Sequence, residues 1–324
     1  LSDWSSDVCS SDLTRGETLA LGPPVVAAPI LMFQTGHWYD AAVSAKWKWR
    51  LADWLLGSLR GRQAFEGWQA LKTRWGAEGR KMRRDLFLPA RLFLLGAGEF
   101  DYARRAIGVD PRLRDRCTVV PNGVVRELYD PRPKPDEAFY REYRLENFVL
   151  QAARIQSDKN QLGLIQALWD TELPIVFAGW PSPYEPEYVQ RCYDLGKRRG
   201  NVYFLGPKSP RELAGIYALA GVHVLPSFRE GQGLVSLEAA AAGCRVVSTS
   251  TGCLRDYLGD DAWYCDARDP ASIARAVQGA LRAPVPAGLR ARVLASYTWD
   301  HTARAALAGY RLALGAPERP ERPL

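Results

Sequence analysis

The sequence predicts an α/β protein built on parallel sheets, in two domains of which the first is short of strands. Three observations carry this expectation. From residue 147 onward, short apolar runs rich in β-formers alternate with amphipathic helical stretches, the pattern of a parallel sheet covered on both faces. The chain has 324 residues, enough for two domains. Its composition, 47% apolar and 24% charged, is that of an ordinary globular protein.

The chain opens with L-S-D-W-S-S-D-V-C-S-S-D-L, five serines and three aspartates in thirteen residues, with no apolar period. It has neither the basic end nor the apolar centre of a signal peptide. Asp3 to Leu13 back-translates codon by codon into a common sequencing-library adaptor. Residues 1–13 are therefore expected to be an artefact that packs against nothing, and the natural protein to begin further upstream.

Residues 14–146 read as the first domain, truncated at its start. P-V-V-A-A-P-I-L-M-F is a buried strand, and R-L-F-L-L and C-T-V-V-P are two more, separated by a helix through Glu99 to Ile107. Residues 130–146, with three prolines and many charges, read as a linker. The second domain, 147–298, shows strands at N-F-V-L-Q-A, P-I-V-F-A-G, N-V-Y-F-L-G, V-H-V-L-P and C-R-V-V-S-T. Helices are expected near 159–170, 185–199, 209–220, 234–243 and 270–282. A helix over 299–316 and a disordered Pro-rich tail, 317–324, close the chain.

The net charge of +7 is concentrated. Residues 41–88 hold eleven Lys/Arg against four Asp/Glu, together with Trp47, Trp49, Trp54, Trp68 and Trp75. Two readings stay open: basic helices that meet an anionic membrane surface through Lys46, Lys48, Arg80, Lys81, Arg83 and Arg84, or a solvated helix pair whose Trp rings pack inward. Nucleic acid is not expected as a partner, because no nucleic-acid motif accompanies the charge. No apolar run reaches the roughly 18 residues of a membrane span. Cys9 falls in the adaptor-like segment, and Cys117, Cys192, Cys244, Cys253 and Cys265 lack C-x-x-C spacing. Free thiols in a reducing cytoplasm are expected, rather than a disulfide frame or a zinc site.

Two stretches carry chemistry. In R-E-G-Q-G-L-V-S-L-E, residues 229–238, Gly231 and Gly233 allow close backbone approach before a helix that starts near Leu234. Free N–H groups and the dipole at that start favour a phosphate. Glu230 and Glu238 can then face one crevice, and paired carboxylates suit the hydroxyls of a sugar or ribose. In Q-A-A-R-I-Q-S-D-K-N-Q, residues 151–161, Arg154 and Lys159 follow a strand, where two cations can neutralise a diphosphate. Ser157 or Asp158 could cap the helix that follows. His37 is a loop histidine that could contact a donor sugar. His223 reads as a packed core residue, and His301 as part of a helix start with Asp300 as a cap.

With V-V-P-N-G-V at 119–124, A-R-I-Q-S-D-K-N at 153–160, F-L-G at 204–206, V-L-P-S at 224–227 and Glu-x7-Glu at Glu230 and Glu238, the chain resembles the family-4 retaining glycosyltransferases. E-A-A-A-A-G-C-R-V-V and the closing Y-T-W-D-H-T-A-R-A-A-L-A-G-Y extend the likeness over nearly all of residues 90–314. The resemblance implies the GT-B fold, two facing Rossmann-like domains, with the 299–316 helix crossing back onto the first. It implies a nucleotide-diphosphate-sugar as substrate, with no cofactor and no metal. Arg154 and Lys159 would hold the diphosphate, with backbone groups around Gly231, Gly233 and Leu234. Glu238 would bind the ribose, Glu230 would lie by the donor sugar, and residues near Phe204 to Pro207 would flank the base. The acceptor would be a glycan or lipid-linked. Apart from the resemblance, the free thiols point to the cytoplasm, and the basic Trp-rich window, on its membrane reading, to the inner membrane face. Gln232 stands where the family often has an aromatic residue, which would alter donor-sugar contact. The family's opening strand and Gly-rich loop are absent, so the chain itself is expected to be impaired. The competing readings are a two-domain nucleotide-sugar epimerase and a non-catalytic binding or membrane-surface module.

Overall fold

The computed structural model describes residues 26–27, 75–228, 230–250 and 252–315. The adaptor-like segment 1–13, His37, Lys46, Lys48, Arg229, the tryptophans before Trp75 and the Pro-rich tail lie outside the described residues. The chain divides into two compact units, the second being Asn122–Thr302 and the first taking in the residues up to Pro121 and from Ala303 onward.

The described part of the first unit holds three parallel strands in the order β1 (Val26–Ala27), β2 (Arg91–Leu94), β3 (Cys117–Val119). Leu92 pairs with Cys117 and Leu94 with Val119. Alternation along β2 sends its side chains to two faces. Leu92 and Leu94 pack with Phe100 and Ala103 of helix α2 (Ala97–Ile107) and with Val109 and Leu113. Phe93 meets the helix that closes the chain, described below, where its ring is edge-on to Tyr310 at 5.3 Å. Gly309 is required there, since a Cβ would lie 2.3 Å from the Phe93 ring. Before β2, helix α1 (Ala77–Asp85) carries exposed Arg80, Lys81 and Arg84. No helix among the described residues is long and apolar enough to cross a membrane.

The second unit is a six-stranded, wholly parallel sheet formed by β4 (Val149–Ala152), β5 (Ile175–Ala178), β6 (Val202–Phe204), β7 (Val222–Leu225), β8 (Arg245–Thr249) and β9 (Trp263–Cys265). Their spatial order is β6-β5-β4-β7-β8-β9. Both faces are covered, so the strands read as continuous apolar runs. One face packs Leu150, Ala152, Val176 and Val246 against α7 (Pro210–Leu219), the Ala-rich α8 (Leu234–Ala242) and α11 (Ala287–Ser296). The other packs Val149, Phe177, Val222 and Val247 against α5 (Gln161–Ala167) and α10 (Pro270–Arg282), with α6 (Pro186–Arg199) alongside α5. Short α9 (Leu254–Leu258) lies between β8 and β9.

Five strands and five helices of this unit match the sequence expectation. β9, only three residues of W-Y-C, and α11 were not anticipated. Residues 130–146 are not a linker. Together with short α3 (Arg126–Tyr129) they belong to the second unit and contain α4 (Glu137–Tyr143). Asp136 accepts the Phe139 amide at 2.7 Å and caps α4, while Phe139 is buried on Phe148. Arg132 donates to the carbonyls of Ala242 and Gly243, both at 3.2 Å, and so closes the carboxyl end of α8. The prolines and charges that suggested a linker serve caps and turns.

The last helix, α12 (Trp299–Ala313), starts after Thr298, whose carbonyl accepts the Thr302 amide at 3.1 Å and whose hydroxyl meets His301 Nδ1 at 2.8 Å. Asp300 is not the cap; it lies in the first turn, where its charge suits the helix dipole. Beside Thr298 runs the V-V-P-N-G-V segment: the Val124 amide donates to Tyr297 O at 2.9 Å, and Val124 bridges Thr298 in parallel. A Cβ on Gly123 would lie 2.1 Å from the Thr298 carbonyl carbon. Gly123→Ala is therefore expected to lower stability by about 1–3 kcal/mol through backbone overpacking. Denaturant unfolding checks this, since a midpoint unchanged from the wild type contradicts the close approach.

Candidate active site

In the order β6-β5-β4-β7-β8-β9 the connections run to opposite sides on leaving β4 and β7. The loops after these two strands lie at the position where open α/β sheets bind ligands, at the carboxyl edge of the sheet. The two stretches singled out in the sequence are those loops.

After β4, the chain runs through Arg154 to a 3-10 turn, Ser157–Lys159, and α5 begins at Gln161. Neither Ser157 nor Asp158 caps α5; its N-cap is Asn160, in the left-handed region at φ 59°. Three amide side chains fix the loop. Gln151 donates to Lys159 O at 2.6 Å, and Gln161 donates to Arg154 O at 2.9 Å. Asn160 donates to Pro226 O at 3.2 Å and to Ala267 O at 2.8 Å, tying the loop to the end of β7. All three are buried, and sequence reasoning passed over them. The signal available was an unusual density of amides around the two cations, in Q-A-A-R-I-Q-S-D-K-N-Q.

After β7, the Phe228 amide donates to Asp158 O at 2.8 Å, so the second loop is laced to the first. Lys159 Nζ then lies 3.0 Å from Glu230 Oε2 and 3.7 Å from Asp158 Oδ2. Burial alone would push the Lys159 ammonium down, but Glu230 and Asp158 more than offset it, and it is held above the usual lysine value. Burial pushes the Asp158 carboxyl up, against the pull of Lys159. Arg154 is half-buried and is among the charges acting on Asp158. The structure thus joins Lys159 and Glu230 directly and adds Asp158 to them.

Gly231 and Gly233 lead into α8. Gly231 O accepts the Cys253 amide at 2.9 Å, and Gly252 lies so close that a Cβ would stand 2.1 Å from Glu230 O. Gly233 adopts φ 64° as the N-cap of α8, and no side chain caps the helix there. The start of α8 at Leu234 thus carries the positive end of the dipole without a capping side chain. Glu238 lies one turn on, half-buried near Tyr129 and Tyr217. Burial pushes its carboxyl up to about 7.

Several side chains in and near these loops pack inward. Gln232 points inward, only 4% exposed, and both ends of its amide bind the backbone of Asn122. It packs within the protein interior. Phe204 packs its ring on Phe177 and Tyr193, at 5.1 and 4.7 Å, and is likewise part of the core. His223 is fully buried beside Tyr217, and burial pushes its imidazole down to about 3, so it is neutral. The five described cysteines, Cys117, Cys192, Cys244, Cys253 and Cys265, are free thiols.

The parallel α/β sheets and the loops at this reversal place the chain among GT-B proteins by fold. A solved sucrose-phosphate synthase from Thermosynechococcus elongatus superposes with a TM-score of 0.62 at 23% identity, over 74% of this chain and 62% of that one. Anabaena Alr3699/HepE, solved in complex with UDP-glucose, gives 0.53 at 16% identity over 72% and 67%. Residues 136–293 match the family model of glycosyl transferases group 1. Among relatives, the D-inositol 3-phosphate glycosyltransferase of Mycolicibacterium paratuberculosis is 33% identical over 228 residues, 66% of this chain and 51% of that protein. The chain spans about half the length of the curated relatives it matches.

Glu238 has a thermodynamic signature. Its folded pKa of about 7 stands above the ordinary 4.5, so the neutral form is favoured on folding. That contribution is complete below 4.5 and is lost as pH rises through about 7. Glu238→Gln is expected to remove this fall, leaving a smaller drop in melting temperature between pH 5 and pH 8 than the wild type shows. Paired melts at the two pH values check it, and equal drops contradict it.

Proposed function

We propose that this protein is a retaining glycosyltransferase that moves a sugar from a nucleotide-diphosphate-sugar donor to a glycan or lipid-linked acceptor, in cell-surface polysaccharide or glycolipid synthesis. The observation that carries the reading is the Lys159–Glu230 contact of 3.0 Å at the strand-order reversal of a glycosyl transferases group 1 domain.

The roles follow from charge. As the bond from the sugar C1 to the diphosphate breaks, negative charge grows on the leaving phosphate oxygens. Lys159 and Arg154 stabilise that charge from one side, and the uncapped start of α8 at Gly233 and Leu234 does so from the other. Gly231 allows the diphosphate close to the backbone. Glu230 keeps Lys159 charged and oriented and lies beside the donor sugar. Glu238 accepts the ribose hydroxyls, which favours its carboxylate form. The acceptor hydroxyl attacks C1 on the face the diphosphate leaves, its proton passes to the leaving phosphate oxygen, and the anomeric configuration is retained. The two cations do the work for which other transferases use a divalent metal.

The neighbours support the donor class: UDP-glucose is the ligand named for the Anabaena protein. The relatives' name adds D-inositol 3-phosphate to the acceptors worth screening. A station at the inner face of the membrane is supported by the exposed Trp75, Phe87 and Leu88 around the basic helix α1.

Turnover of labelled nucleotide-sugars by the full-length gene product, against lipid-linked acceptors and D-inositol 3-phosphate, tests the reading. Lys159→Ala is expected to lower kcat/KM by about a hundred- to a thousandfold, and chelators to leave the rate unchanged. NMR of the product reports the anomer. An inverted product or a chelator-sensitive rate contradicts the mechanism. Flotation with liposomes tests the membrane station. Binding is expected to anionic vesicles, weakening as salt rises. Equal binding to neutral vesicles removes the electrostatic role.

A further inference from the structure

We infer that Gln232 is a positioning residue that couples the donor loop to the segment by which the chain enters the second unit. The inference rests on the donor-site reading above.

The chain passes from the first unit to the second at Pro121–Asn122 and returns after Thr302. Gln232, buried at 4% exposure and 110 residues away in sequence, holds Asn122. The Asn122 amide donates to Gln232 Oε1 at 2.8 Å, and Gln232 Nε2 donates to Asn122 O at 3.3 Å. One side chain thus meets both main-chain groups of one residue, as a rung of a sheet does. The next two residues are locked as well. Gly123 lies against the backbone of Thr298. Val124 exchanges hydrogen bonds with the 297–299 segment, its amide to Tyr297 O at 2.9 Å and its carbonyl from the Trp299 amide at 3.3 Å. The entering and returning segments are therefore held side by side, and Gln232 grips the first residue of the pair.

On its other side Gln232 belongs to the loop that would meet the diphosphate. Two residues before it, Glu230 holds Lys159. One residue after it, Gly233 begins α8. The Tyr257 hydroxyl donates to Gln232 O and lies 3.1 Å from Gly233 O, which stiffens the peptide between them. A shift of residues 230–233 on filling the phosphate site cannot leave Asn122 behind without unpairing buried groups on both sides, which is costly. A side chain of similar size without an amide fills the same space and makes neither bond.

Hydrogen–deuterium exchange on the full-length protein, with UDP, GDP and ADP as separate probes, tests this. In the wild type, the nucleotide that binds is expected to slow exchange at residues 231–237 and also at 122–124. In Gln232→Met, protection at 231–237 should persist while that at 122–124 falls at least tenfold. Gln232→Glu serves where Gln232→Met fails to melt cooperatively. Loss of nucleotide binding in a variant that still melts cooperatively is the same positioning effect at its limit and supports the inference. Nucleotide binding to the wild type without protection at 122–124, or protection there that survives both substitutions, overturns the coupling and leaves the donor site standing. Binding of none of the three nucleotides to the wild type overturns the donor-site reading and the coupling with it.

Discussion

Where connections from neighbouring parallel strands run to opposite sides of a sheet, two loops stand side by side with nothing between them. Strands β4 and β7 meet this condition. Every feature of the candidate site depends on it. Lys159 can reach Glu230 because their strands are neighbours, though 71 residues separate them. The backbone bond from Phe228 to Asp158 O then fixes one loop against the other before any side chain acts.

The electrostatics build on that geometry. A half-buried ammonium with two carboxylates around it is held above the usual lysine value, where burial alone would have pushed it down. Asp158 bears the cost, since burial raises its carboxyl despite the lysine. Across the crevice mouth, α8 contributes charge without a titratable group, through N–H groups that no side chain caps. The site therefore combines one cation whose state depends on its neighbours with a positive end that pH does not alter.

The architecture of the second unit was legible because parallel strands buried on both faces leave continuous apolar runs, as in P-I-V-F-A and V-H-V-L. β9 left no such trace: it pairs on one side only, and its W-Y-C is too short to form a pattern. The site was legible as charge and glycine in two loops, but the amides that hold those loops were not. Gln151, Asn160 and Gln161 have no period and no charge, and only the folded backbone shows which carbonyls they serve. Gln232 is illegible for a related reason: nothing local reveals that its side chain binds Asn122, 110 positions earlier. Arg132 likewise looked like linker composition because its partner, a helix end 110 residues on, is a tertiary fact, whereas the Asp136 cap is a local signal that the surrounding prolines and charges masked.

The docking of residues 122–146 sets where this protein can be cut. A fragment begun at 147, where the apolar runs become regular, would strip Phe139 and Tyr129 from the core and expose Phe148. It would also lose the guanidinium that closes α8, the helix whose other end stands in the candidate site. For expression, isotope labelling or grafting of the domain, the natural seam is therefore Pro121–Asn122. A piece trimmed to the visible strand–helix alternation would be sticky and blunted at its most useful helix.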